Sequence, residues 1–358
     1  MNAITVIVLV FSVLGALDKL FGNKMGMGKE FERAFTLFTP MATSMLGVLI
    51  VAPGIGVWLT PVFEGFYKLF GLDPSIIPAS LFANDMGGMT IAKEICKTQT
   101  IGDFNAFVVS SMMGCVISFT IPVSISMVKR EQHKDLFFGI LCGIVTIPVG
   151  CFVGGLMLGI GVLDILLNLL PLVILSAVIA AGLALAPNVS IKIFSVFGKF
   201  MRAVGILGLV GGIFTSLTKI QLDPHFNSLQ DAAQICVNAC ITLSGALPFM
   251  YLVTKLLGKS MERLSGKIGI DGTSAVMLLS TLVTNTPTFG VMEKMNPKGV
   301  ALNSAFAVSA AFVFGSHLAF TMAFDSSFLP AVMVGKLLSG VCAVALAMLL
   351  WKEKTDEA

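Results

Sequence analysis

Uncharged apolar runs divide nearly the whole of this chain. Those at 34–63, 104–128, 136–163, 165–191, 232–254 and 299–324 each reach the ~20 residues that a helix needs to cross a bilayer core. Shorter runs at 2–17, 203–218 and 337–351 qualify once flanking residues reach for the interface. Composition agrees: hydrophobic residues make up 56% of the 358, charged residues 12%, and mean hydropathy is +0.94. Soluble domains run near ~25% charged. The run at 2–17 lacks the basic start of a signal peptide and reads as a retained span.

Two further apolar segments each break at a polar cluster. The first runs from Ile76 through Ser80 and breaks at Asn84-Asp85-Met86-Gly87-Gly88. The second runs from Ala275 and breaks at Asn285-Thr286-Pro287. Hydrocarbon does not tolerate open backbone unless protein or a water-filled cavity covers it. Paired interrupted segments in the two halves of a membrane protein point to a carrier's binding site.

The breaks belong to a longer internal repeat. Glu64, Gly71, Asp73 and Asn105 recur as Glu262, Gly269, Asp271 and Asn303, 198 positions on. Ala106-Phe107-x-Val109-Ser110 recurs 199 positions on, and Asn84 recurs as Asn285, 201 on. Residues 1–163 therefore read as a first membrane repeat with a hairpin at about 74–95. Residues 164–199 read as a linking helix, and 200–354 as a second repeat with a hairpin at about 272–294. Residues 355–358 read as a short cytosolic tail.

Charge placement selects a topology. If both broken segments dip in and return as re-entrant hairpins, nine helices span, and 18 Lys and Arg fall on one side against 4 on the other. If both cross, the two sides carry 11 each. Positive residues gather on the cytoplasmic side, so the chain reads as an all-α polytopic membrane protein of about nine spans and two re-entrant hairpins. Its N-terminus then lies outside and its C-terminus in the cytoplasm. The two repeats are inverted in this arrangement, the topology that alternating-access carriers favour.

Asp85 is the leading candidate for chemistry. An acid at membrane depth costs about 2.5–3.5 kcal/mol on insertion scales and usually faces a cavity or a partner. It suits a cationic substrate or a coupling ion, and also the capping of free N–H groups at a hairpin tip. Asn84, Asn285 and Thr286 offer donors and acceptors where the backbone opens; their alternative is local turn chemistry. Ser110 and Ser309, on the spans after each hairpin, join the candidate binding set, with helix packing as their alternative. His317 reads as a helix-to-helix hydrogen bonder, and Lys336 sits within the last span.

Other classes are excluded by what the motifs lack. There is no Gly-x-Ser-x-Gly, no His-Glu-x-x-His and no phosphate-binding loop, so no enzyme is expected. The seven cysteines are scattered without metal-site spacing and read as reduced packing residues, so neither metal nor cofactor is expected. No basic stripe suggests nucleic acid.

The segments Ser80-Leu81-Phe82-Ala83-Asn84-Asp85-Met86-Gly87-Gly88 and Leu282-Val283-Thr284-Asn285-Thr286-Pro287-Thr288-Phe289, with the overall character of the chain, resemble the bacterial ethanolamine-utilisation membrane transporter family, EutH. The resemblance runs from the first span to Trp351. It implies import of ethanolamine across the bacterial cytoplasmic (inner) membrane, with ethanolamine and the lipid bilayer as partners. A carboxylate for the ammonium and amides or hydroxyls for the alcohol match what Asp85, Asn84, Asn285 and Thr286 offer. A coupling ion, H⁺ or Na⁺, and a homo-oligomer stay open. So do an ion-coupled carrier or exchanger for another small amine or cation, and a membrane scaffold without transport.

Overall fold

The structure, a computed structural model, describes residues 3–351. The tail at 355–358 and the charges of Lys352 and Lys354 lie outside the described residues. Among the described residues there is no strand, and eight helices are long and apolar enough to cross a membrane. The protein is an all-α polytopic membrane protein. Its outward face is rich in exposed Leu, Ile, Val and Phe, as on Val162–Leu185 and Pro187–Thr218, which fits a lipid solvent.

Two expected elements fold differently. The run 299–324 is not one span but two pieces, Pro297–Ser309 and Ser316–Phe324. Its counterpart, Gln99–Met127, is continuous and widened by π-helical stretches at Asn105–Gly114 and Val116–Thr120. The reason is a two-residue difference. Four positions separate Ser110 from Gly114, whereas six separate Ser309 from Gly315. The longer insert leaves the helix, with Phe312 in the left-handed region at φ 66°. Its freed N–H groups are taken by the second hairpin: Phe312 donates to the Thr281 carbonyl at 3.3 Å and Phe314 to the Leu282 carbonyl at 2.8 Å.

The linking segment 164–199 is likewise two helices, Val162–Leu185 and Pro187–Thr218. Pro187 lacks an N–H and disfavours helical backbone at the residue before it, and Ala186 turns at φ −139°, ψ 60°.

Both broken segments double back. The first is Ile76–Leu81, a tight turn at Asn84–Met86, then Gly88–Ile95. One carboxylate ties its two ends. Asp73 accepts from the Ser75 N–H (3.0 Å) and hydroxyl (2.6 Å) at the entry, and from the Lys97 and Thr98 N–H groups (both 3.0 Å) at the exit. The second hairpin, Gly272–Thr281 followed by Thr286–Gly290, is tied the same way. Asp271 accepts from Ser274 N–H (2.8 Å) and hydroxyl (2.6 Å) and from Asn296 N–H (2.8 Å). Asp271 lies at a hairpin mouth. Burial pushes its carboxyl up, but the hydrogen bonds from Ser274 and Asn296 outweigh it and hold the group below its ordinary value.

The two mouths sit at opposite ends of Gln99–Met127. Its start adjoins Lys97 and Thr98, at the first mouth. Just past its end, Lys129 pairs with Glu293 at 2.7 Å and the Gln132 amide donates to the Met292 carbonyl, at the second mouth. A helix of this length rises roughly 40 Å, so the hairpins enter the bundle from opposite ends.

Candidate functional site

Each hairpin tip is seated against the span that follows the other hairpin. Asn285 Nδ2 donates to Thr120 Oγ1 at 3.3 Å, on the first half's span. The first tip, Asn84–Met86, packs on Ser316–Phe324 of the second half, where Ser316 and Asp85 line the same small cavity. Between them the two breaks share an apolar cluster of Ala83, Cys115, Ala311 and Phe312, with Phe119 edge-on to Phe312 at 5.5 Å. The tips therefore meet through the spans that follow the two hairpins.

Backbone closeness also seats each tip on the span that follows its own hairpin. A Cβ on Gly114 would lie 2.0 Å from the Phe82 carbonyl oxygen, and one on Gly315 would lie 2.0 Å from that of Val283. Both glycines and both carbonyls are related by 201 positions. The Ala83 N–H, freed where the first tip leaves the helix, donates to the Ser118 hydroxyl at 3.0 Å. Gly87 closes the turn at φ 89°, a conformation that suits glycine.

Asp85 is 5% exposed and lines a cavity of about 100 Å³ with Ser44, Met86, Cys115, Ser316 and His317. A liquid water occupies about 30 Å³, so the space suits a molecule of a few heavy atoms. Lys336, 1% exposed on Leu329–Leu350, donates to the Ser111 carbonyl at 2.5 Å. No direct ion pair joins Asp85 to Lys336 among the described residues. Burying a carboxylate costs free energy unless a cation or strong donors compensate it. The cavity beside Asp85 is thus suited to a small cation.

The other candidates are distributed. Asn84 and Asn285 are both fully buried at the tips. Asn84 Oδ1 accepts from the Asp85 N–H at 2.9 Å. The Asn84 Nδ2 and Asn285 Oδ1 atoms have no hydrogen-bond partner. Thr286, the positional counterpart of Asp85, is exposed. The Ser110 hydroxyl donates to the Ala106 carbonyl, and Ser309 accepts from Ser339 at 2.7 Å. Both serines thus have packing partners within the bundle. Sequence reasoning gave no role to three residues: Lys336, whose charge inside an apolar span was the signal, and Thr120 and Thr321. These close the repeated pattern Gly114-x-x-x-x-Phe119-Thr120 and Gly315-x-x-x-x-Phe320-Thr321.

A second, larger cavity of about 410 Å³ lies along the second hairpin. It runs from Glu30 and Arg33, past Tyr251, to Ser280 and Thr284.

Comparison with known proteins agrees with this architecture. The family model for EutH, ethanolamine utilisation protein, matches residues 1–350. The chain belongs to the EutH family. A Listeria monocytogenes relative called a probable ethanolamine permease EutH is 36% identical over 342 residues, 96% of this chain and 92% of its own. A Salmonella typhimurium relative with the same name is 31% identical over 382 aligned positions, covering 96% and 94%. The uncharacterized YxeR of Bacillus subtilis is 36% identical over 346 residues, covering 97% and 94%. No solved structure matches.

Proposed function

We propose that this protein is a transporter, not an enzyme, that carries ethanolamine into a bacterial cell across the cytoplasmic membrane by alternating access. The observation that carries the reading is Asp85. It is a buried carboxylate at the tip of a doubled-back segment, on a cavity sized for a few heavy atoms and lined from both halves of the chain. A small primary ammonium meets that requirement, and the permease names of the relatives supply its identity. The two hairpins dip into the membrane from opposite faces and the halves act as inverted repeats. Residues 1–163 and 200–354 form the two units, joined through 164–199.

The positive-inside bias places the N-terminus outside and the C-terminus in the cytoplasm. The cavity that starts at Glu30 and Arg33 then opens to the cytoplasm and reaches Thr284 beside Asn285. Movement of the hairpins and the spans that follow them, relative to the lipid-facing helices, exposes Asp85 to each side in turn.

Counterflow of labelled ethanolamine in proteoliposomes tests the reading, with and without H⁺ or Na⁺ gradients. Exchange that is accelerated by internal ethanolamine supports it. Exchange of other small amines but not ethanolamine would replace ethanolamine as the substrate. No exchange of any amine would sink transport altogether.

A further inference from the structure

The two halves carry the same asparagine–threonine pairing, and one copy of it is made while the other stands open. Asn285 Nδ2 donates to Thr120 Oγ1 at 3.3 Å. Moved by 201 positions between the halves, Asn285 corresponds to Asn84 and Thr120 to Thr321. All four side chains are fully buried. In the second copy, Asn84 Nδ2 and Thr321 Oγ1 both lack any hydrogen-bond partner. The helix that carries Thr321 nevertheless packs directly on the turn that carries Asn84.

Buried donors and hydroxyls without partners are rare because leaving them unmade costs free energy. Two such groups on touching elements, with their own closed counterpart elsewhere in the molecule, point to a ligand that completes them. Their neighbours say which ligand. Asp85 follows Asn84 directly, and Ser316 lies on the helix of Thr321, five residues before it. Asp85 and Ser316 both line the small cavity. At the corresponding place in the other half stands Thr286, exposed and uncharged, so the second tip carries no acid at that position.

We infer that Asn84 and Thr321 are the hydroxyl-reading end of the substrate site, and that the site takes a short amino alcohol. The alcohol oxygen accepts from Asn84 Nδ2 and shares a hydrogen bond with Thr321 Oγ1, while the ammonium faces Asp85. This rests on the transport reading above and goes further, since it makes the hydroxyl, not the charge, the discriminating group. A site that hydrogen-bonds a substrate hydroxyl rejects the analogue that lacks one, because its own buried groups are then left unpaired.

The test is competition in proteoliposomes of the full chain. Labelled ethanolamine uptake is measured against unlabelled ethanolamine and against ethylamine, which keeps the ammonium and lacks the hydroxyl. In the wild type, ethylamine should compete at least about tenfold more weakly than ethanolamine. Thr321→Val should shrink that gap below about threefold, while Thr321→Ser retains it. Thr120→Val, which breaks the closed pair, should leave the gap as in the wild type.

Uptake of labelled ethylamine by Thr321→Val reports that the variant is folded. If it is not, Thr321→Ala is read in the same way. Equal competition by the two amines in the wild type, or a full gap surviving in the Thr321 variants, overturns the hydroxyl-reading site and leaves ethanolamine transport standing. A wild type that takes up neither amine overturns the transport reading, and this inference with it.

Discussion

The two hairpins share a scaffold and differ in what they carry. Each is tied at its mouth by one carboxylate, Asp73 or Asp271. Each holds an asparagine at its break, Asn84 or Asn285, and each passes a glycine at backbone contact distance. The first tip adds a buried acid that lines a small cavity and an asparagine whose Nδ2 has no hydrogen-bond partner. The second has an exposed threonine at that position, a closed asparagine–threonine bond and a wide cavity alongside. Symmetry therefore resides in the parts that fold the hairpins. The charge that recognises a cation is needed once, so it is not repeated.

That comparison is broken most forcefully by moving the charge. Asp85→Asn keeps the shape of the side chain and removes its negative charge. We expect ethanolamine uptake in proteoliposomes to fall on the order of 100-fold, the scale of a lost charge-assisted interaction. Thr286→Ala, the matching change in the other hairpin, should leave uptake within about twofold, as for exposed positions in general. Comparable losses in both variants would mean that the two tips share the substrate equally.

The scaffold, by contrast, should respond alike in both halves. A methyl on Gly114 or on Gly315 would meet a backbone carbonyl at 2.0 Å, in a place where backbone cannot yield cheaply. Gly114→Ala and Gly315→Ala should each cost about 1–3 kcal/mol, read as a lowered midpoint of thermal unfolding in detergent. A loss confined to one half would show that only that hairpin is rigidly seated.

Much of this was legible before the structure. Charge-free runs mark spans because lipid excludes charge, and the polar breaks at Asn84 and Asn285 mark hairpins because polar turns cannot stand inside an unbroken span. The interruption at 310–315 was hidden for the opposite reason. Ala310, Ala311, Phe312, Val313 and Phe314 are as apolar as any helix, and what unwinds them is tertiary: hydrogen bonds to Thr281 and Leu282. The same two-residue insert shifts the repeat from 199 to 201 and so conceals the correspondence of Thr120 with Thr321. Lys336 was visible as a charge in an apolar run. Its acceptor, the Ser111 carbonyl, lies 225 residues away and could not be read from local pattern.

The smallest expected effect concerns the mouths and carries a pH signature. Asp271→Asn keeps an acceptor oxygen but loses the anion that binds Ser274 and Asn296. A lost helix cap of this kind costs about 1 kcal/mol. The native carboxyl is held below its ordinary value of 3.8, burial being outweighed by its hydrogen bonds. A depressed folded-state value means that the stabilisation is complete above the unfolded value and disappears as pH falls through the folded one. The difference in unfolding midpoint between wild type and Asp271→Asn should therefore be constant from neutral pH down to about 5, then shrink toward zero in stronger acid. Asp73 accepts from two exit N–H groups where Asp271 accepts from one, so Asp73→Asn should cost at least as much at neutral pH. A pH-independent difference for Asp271→Asn would assign its role to packing. A silent Asp73→Asn beside a costly Asp271→Asn would show that the hairpins, so alike in their ties, are anchored by different means.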